Sequence, residues 1–204
     1  MIKNKTTTIG RTIMEITKIK VFIQSFHILP KEVIEELLSK LTLIELPSNS
    51  YLLREGNICK DIWLIEKGLA RHFNVDNKGK ERNTWFAAEE SITTELYSLI
   101  NNVPSKESIQ LIEDSKVYKL CYADILELLN KHHQFCIWYL KIIEQFYFKQ
   151  TDKRINELQF LDATQRYNEL LQHNPSFNQR ISLGNIASYL NITQETLSRI
   201  RARK

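Results

Sequence analysis

What this sequence has little of narrows its class before any motif is read. Its longest unbroken apolar run, Phe135 to Leu140, is far too short to cross a bilayer, which takes about 20 residues, and its threonine-rich opening has no apolar core of signal-peptide length. A cytoplasmic location and no membrane partner are expected. The three cysteines, Cys59, Cys121 and Cys136, are isolated and odd in number, which points away from a disulfide framework or a paired metal site. They read as small buried hydrophobes. The histidines are scattered, and the adjacent His132 and His133 would point about 100° apart on a helix. No His-x-His pair occurs, so the metal-enzyme version of a β-roll is set aside. No metal, cofactor or catalytic residue is expected, and the chain reads as a non-enzyme.

Excess charge is missing from most of the chain. The net charge is +4, and residues 180–204 carry Arg180, Arg199, Arg201, Arg203 and Lys204 against Glu195 alone, so residues 1–179 balance to zero. All the surplus positive charge sits at one end, as in an element that meets a polyanion.

Glycine and proline are also absent over a long stretch. From Ala123 to Asp162 there is neither, while Leu, Ile and aromatics abound. The pattern predicts a short helix and then a long one over about 134–160. Phe135, Trp138, Ile142 and Phe146 form one apolar stripe; Leu140, Ile143 and Tyr147 form another. Two stripes suggest two partners, the chain's own fold and the same helix of a second copy.

Upstream, residues 15–40 read as two helices, the second opening with Pro30. Seven short segments follow, "LTLIEL", "YLLRE", "DIWLIE", "LARHFNV", "KERNTWF", "SIQLIE" and "KVYKL", separated by turn signals such as "PSNS" and "DNKG". Strands at this spacing imply an antiparallel sandwich or roll.

Near the end, a helix over 163–173 leads through "FNQRIS" to "IASYLNITQETLSRIRARK". Laid on two short helices, Leu183, Ile186, Ala187, Leu190, Ile192, Thr193, Leu197 and Ile200 share a core. Ala187 suits the close approach, Asn191 the left-handed turn, and Thr193 the cap of the second helix. This is a helix-turn-helix. Its second helix offers Glu195, Ser198, Arg199 and Ala202 on one outward face, with Gln194 at the exposed edge. Arg199 can fork onto a guanine, Glu195 can accept from cytosine, and Gln194 or Ser198 can reach a neighbouring base. Arg180, Thr193, Arg201, Arg203 and Lys204 are the expected phosphate contacts.

The order of these parts resembles the bacterial transcription regulators named after the cyclic-AMP receptor protein and the fumarate and nitrate reduction regulator (CRP/FNR). "LQFLDATQRYNELL" (Leu158 to Leu171) is similar to that family's hinge and following helix, and "TQETLSRI" (Thr193 to Ile200) to its recognition helix. "REG" (Arg54 to Gly56) and "EKGLAR" (Glu66 to Arg71) resemble its roll strands. The resemblance implies an α+β fold. An extended or disordered stretch over 1–16 precedes an antiparallel, cyclic-nucleotide-binding-like β-roll (jelly roll) over 17–132. A dimerisation helix over 133–160 and an all-α helix-turn-helix domain over 161–204 follow. It also implies a hinge at Phe160 to Asp162, a dimer seam of Trp138, Ile142, Ile143, Phe146 and Tyr147, and an effector pocket lined by Trp85, Phe86, Glu89, Tyr97, Lys106 and Thr151.

The departures qualify that reading. Ala88 stands where nucleotide-binding members have the glycine of a Gly-Glu pair, and "PSK" (Pro104 to Lys106) stands in place of their phosphate-gripping arginine. Lys106 could hold a phosphate only as a point charge, without the guanidinium fork, so no cyclic nucleotide is expected. The four cysteines of the iron-sulfur members are lacking, and no haem ligand stands out. The family's β-hairpin wing is missing, since only "FNQRIS" precedes the helix-turn-helix. The expected function is a homodimeric, sequence-specific DNA-binding regulator with a sensor roll of unknown ligand. Its partners would be double-stranded DNA at a palindromic operator, a second copy, RNA polymerase and a small-molecule effector. The alternative is a sensing or interaction module whose terminal hairpin binds protein.

Overall fold

The structure, a computed structural model, describes residues 13–202. Two helices lead in, α1 (Ile13–Gln24) and α2 (Lys31–Lys40). In α2 the apolar positions Val33, Ile34, Leu37 and Leu38 fall on one face, and all four are buried. Because α1 begins at Ile13, residues 13–16 are helical rather than extended; residues 1–12 lie outside the described residues.

Eight strands follow: β1 (Thr42–Leu46), β2 (Tyr51–Leu53), β3 (Asp61–Lys67), β4 (Ala70–Val75), β5 (Glu81–Ala87), β6 (Ser91–Thr93), β7 (Ser108–Leu111) and β8 (Ser115–Cys121). They form two four-stranded sheets, ordered β1-β8-β3-β6 and β2-β7-β4-β5, with every pairing antiparallel. All seven segments read from the sequence are strands; β6 is the addition, too short to show an alternation of its own. Trp63, Ile65, Ile109, Leu111 and Val117 fill the space between the sheets. The β3–β4 turn requires Gly68: its φ is 111°, and a Cβ there would lie 2.0 Å from the Ser115 hydroxyl.

A short helix, α3 (Leu96–Asn101), lies between β6 and β7. After the roll come α4 (Tyr122–Lys131) and then one long helical run: α5 (His133–Ile142), a π-helical segment (Ile143–Phe148) and α6 (Lys149–Phe160). Its inward stripe is the chain's own core. Phe135 stacks on Trp138 at 5.1 Å, the Trp138 indole N–H donates to the Ile23 carbonyl at 2.6 Å, and Phe146 packs on Phe26 at 5.3 Å. Trp138 and Ile142 are therefore buried within the chain and cannot form a seam with a second copy, and Phe146 is held against the N-terminal helices. An exposed apolar row remains on the long helix, including Leu140, Tyr147, Phe148, Ile155 and Leu158.

The C-terminal part comprises α7 (Ala163–His173), α8 (Phe177–Arg180), α9 (Leu183–Tyr189) and α10 (Gln194–Ala202). A capping box between Asp162 and Gln165 starts α7, fixing where the long helix stops. The link "FNQRIS" is itself partly helical, as α8. Tyr167, Phe177, Ile186, Leu190, Leu197 and Ile200 form a second core that also takes in Leu69 and Phe86 from the roll. The C-terminal helices are therefore packed on the roll, which no local pattern in the sequence announces.

Candidate nucleic-acid interface and effector cavity

The turn between α9 and α10 is built as the sequence suggests. Asn191 has φ 54°, its N–H donates to the Ser188 carbonyl at 3.1 Å, and the Ile192 N–H donates to the Ala187 carbonyl at 3.0 Å. This pair of bonds is a Schellman motif with Asn in the left-handed position usually given to glycine. The Thr193 hydroxyl accepts from the Thr196 N–H at 3.2 Å and so caps α10. Ile186, Ala187, Leu190, Leu197 and Ile200 are buried in the shared core. Thr193 is exposed, outside that core.

On the opposite side of α10, Glu195, Ser198, Arg199 and Ala202 are all exposed. Gln194 is exposed as well, and it crosses close over α9: a Cβ at Gly184 would meet its amide nitrogen at 2.9 Å. The Glu195 carboxyl is held below its ordinary range by its own backbone N–H and the Thr193 hydroxyl, with the charges of Arg199 and Lys80 adding. It is thus an ionised acceptor beside a cationic donor, the pairing that reads adjacent C and G edges in a major groove.

The expected phosphate contacts fare differently. Arg180 is committed inside the protein. Its guanidinium donates to both Glu89 carboxylate oxygens at 2.8 Å, to Glu113 and to the Gly68 carbonyl. Those contacts, the Glu89 hydrogen bonds first, raise its pKa further. Arg201 is half-buried, its Nε donating to the Tyr167 hydroxyl at 3.1 Å. Both were expected to face DNA; the physical reason for the difference is that tertiary packing supplied carboxylates and a phenol first. Arg203 and Lys204 lie outside the described residues.

Around Arg180 runs a polar junction that sequence reasoning did not find. The Asn83 N–H donates to the Ser188 hydroxyl at 3.0 Å, the Ser188 hydroxyl donates to the Glu81 carbonyl at 3.2 Å, and the Asn83 amide donates to Asn185. Buried Arg71 donates to Glu81 at 2.6 Å, to Gln110 at 2.7 Å and to Asn185 at 3.4 Å. Phe86 lies beneath, with its ring centroid 5.9 Å from Phe177 and 5.3 Å from Tyr189.

A cavity of about 410 Å³ opens between the two sheets and the long helix, a size suited to a small molecule. Of the six residues expected to line it, Trp85 and Thr151 do. Phe86 and Glu89 belong to the junction instead, Tyr97 is 61% exposed, and Lys106 is exposed away from the lining. The missed lining includes His72, Glu95, Glu107, Tyr139 and Arg154, along with Ile143, Phe146 and Tyr147 of the π-helical segment. His72 is buried, its Nε2 2.6 Å from the Thr93 hydroxyl and its Nδ1 3.4 Å from Glu107. Burial pushes the Glu107 carboxyl up, but the bond and charge of His72 outweigh it and leave the group below its ordinary range. Burial pushes the Tyr139 phenol up to about 12, and its hydroxyl has no hydrogen-bond partner among the described residues. No alternation in "LARHFNV" marks His72 as inward, since Ala70 to Phe73 are all buried, and its meeting with Glu107 depends on the β4–β7 register, which pairs His72 with Ile109.

Arg154 joins the cavity to α9. It lines the cavity, its guanidinium donates to the Tyr189 carbonyl at the end of α9, and it lies over the Tyr189 ring at 3.9 Å. Among the described residues no cluster of three or more His, Cys, Asp or Glu is placed to hold a metal, and no helix is long and apolar enough to cross a membrane.

Residues 43–132 match the cyclic nucleotide-binding domain family. No curated protein matches the sequence. FixK2 from Bradyrhizobium japonicum is similar in structure, with TM-score 0.67 at 14% identity over 80% of this chain and 83% of that one. The catabolite activator protein of Thermus thermophilus has TM-score 0.55 at 21% identity, over 87% and 84%. The c-di-GMP-responsive global regulator CLP of Xanthomonas campestris has TM-score 0.66 at 15% identity, over 85% and 91%. Over residues 43–132 the chain is thus similar to the cyclic nucleotide-binding domain family, and through its long helix and C-terminal helices it shares the fold of these three regulators.

Proposed function

We propose that the chain is a cytoplasmic, homodimeric, sequence-specific DNA-binding transcription regulator whose roll senses a small molecule other than a cyclic nucleotide. The observation that carries the reading is the outward face of α10. Glu195, Ser198 and Arg199 are exposed on a capped helix of a packed helix-turn-helix. Arg199 makes no ion pair among the described residues, so its fork is available to a base edge.

The exposed row Leu140, Tyr147, Phe148, Ile155 and Leu158 supports the second copy, because an apolar strip on a helix surface is costly to leave in water. A dimer across it would set two recognition helices about 34 Å apart, one turn of DNA. Glu95 and Glu107 in the cavity disfavour a phosphate-bearing ligand, and Arg154, its nearest cation, is engaged with Tyr189. A neutral or cationic effector with an apolar body suits the lining better. RNA polymerase is the partner through which bound protein would act.

Binding of purified protein to genomic fragments at two salt concentrations tests the reading. Specific retention that weakens steeply with salt is expected. A salt-insensitive association with protein and none with DNA would replace it with the interaction-module alternative.

A further inference from the structure

Among the described residues the C-terminal part has no hairpin, yet one stands beside it. Strand β5 carries α9 on its first residues, through the Asn83 to Ser188 and Ser188 to Glu81 hydrogen bonds. The β4–β5 turn, 76–80, is therefore fixed next to the helix-turn-helix by its neighbour Glu81.

That turn is rigid. The Asp76 N–H donates to the Lys80 carbonyl at 2.9 Å, and the Gly79 N–H donates to the Asp76 carbonyl at 2.8 Å. The Asp76 carboxylate accepts from the Lys78 and Lys80 N–H groups and from Arg82 at 2.9 Å. The charge at the tip is one-sided. Asp76 is matched by Arg82 and Glu81 by Arg71, while Lys78 and Lys80 are exposed and make no ion pair among the described residues. The charge of Lys80 reaches Glu195 in the first turn of α10, so the tip and the base-reading helix share one neighbourhood. A recognition helix seated in a major groove has phosphate backbone running along its flanks. Two unpaired cations on a stiff loop beside the entering end of that helix are placed to meet it.

We propose that the β4–β5 hairpin of the roll is a second DNA-contacting element, in which Lys78 and Lys80 hold backbone phosphates flanking the groove read by α10. The inference rests on the DNA-binding reading above. It makes the docked arrangement of sensor and reader the DNA-competent one, because the hairpin reaches DNA only while α9 sits on β5.

The test uses the full-length protein and a short duplex that the wild type selects from a random pool, with affinity measured over a salt series. Lys78→Gln with Lys80→Gln should weaken every duplex alike, keep the selected sequence, and flatten the slope of log affinity against log salt by about 3.6 for a bound dimer, some 0.9 for each of the four phosphates no longer neutralised. Lys78→Glu with Lys80→Glu should weaken binding further at equal thermal stability. Arg199→Ala, in contrast, should erase the sequence preference. An unchanged slope in the glutamine variant while Arg199→Ala still loses specificity overturns the hairpin contact and leaves the DNA-binding reading standing. Tighter binding by the glutamine variant also overturns it, since the hairpin would then shield the helix. A wild type that selects no duplex at any salt concentration removes both.

Discussion

Arg180 and Glu89 meet as a two-pronged pair, each carboxylate oxygen 2.8 Å from a separate guanidinium nitrogen, and the same arginine reaches Glu113 and the Gly68 carbonyl. One side chain at the end of α8 thus ties three turns of the roll to the C-terminal helices. Arg180→Met should loosen the junction by about 2 kcal/mol, seen as faster amide hydrogen exchange across α8 and α9, while the salt dependence of DNA binding stays as in wild type. Burial pushes the Glu89 carboxyl up, but the Arg180 bonds and the Gly68 N–H outweigh it and leave it below its ordinary value. With the folded-state value depressed, the pair's contribution is present above the ordinary carboxylate range and is lost as pH falls through the lowered value. Exchange in wild type should therefore approach that of Arg180→Met on acidification. A constant difference between them at all pH values would remove Glu89 from the latch.

Arg199 carries the base-reading assignment. Arg199→Ala should cost about 1–3 kcal/mol of discrimination and leave the oligomeric state untouched. Footprinting against a selected operator, with sedimentation alongside, checks both; an operator affinity equal to wild type would take Arg199 out of that role.

The long helix should be a dimer seam along its exposed row. A charge at Ile143 would disturb the cavity it lines, so the cleaner substitution is Leu140→Glu, at a position exposed in the single chain. Dimerisation should weaken about tenfold or more, worth about 1.4 kcal/mol, with unchanged near-ultraviolet circular dichroism. If sedimentation still gives dimers at micromolar concentration, the seam lies elsewhere.

Arg154 should couple the cavity to α9. Arg154→Lys keeps the charge but loses the planar fork and its stacking on Tyr189. Any ligand found to change DNA affinity should then bind nearly as tightly yet change that affinity less, by calorimetry paired with anisotropy. A full allosteric response in the variant would refute the coupling role.

Much of the fold was legible in local pattern. The strands show as apolar alternation between turn signals, the long helix as forty residues without glycine or proline, from 123 to 162, and the helix-turn-helix as Asn191 and Thr193 at the right offsets. The effector pocket was hardly legible: two of its six expected residues line the cavity. Its walls come from β4, β5, β6, the start of β7's loop and the π-helical segment, and no single stretch encodes their meeting.

The sequence by itself determined what each segment is, because periodicity, capping and turn residues act within a few positions along the chain. It determined too that α10 is exposed and bears Glu195 and Arg199 on one face, since helical spacing alone puts them there. Which arginines stay available was settled only in three dimensions. Arg180 and Arg201 look like free cations in a basic tail, yet Glu89 and Glu113 of the roll capture the first and Tyr167 of α7 the second once the chain folds. A charge is available to a ligand only if no nearer partner claims it, and nearness across the chain is a property of the folded molecule.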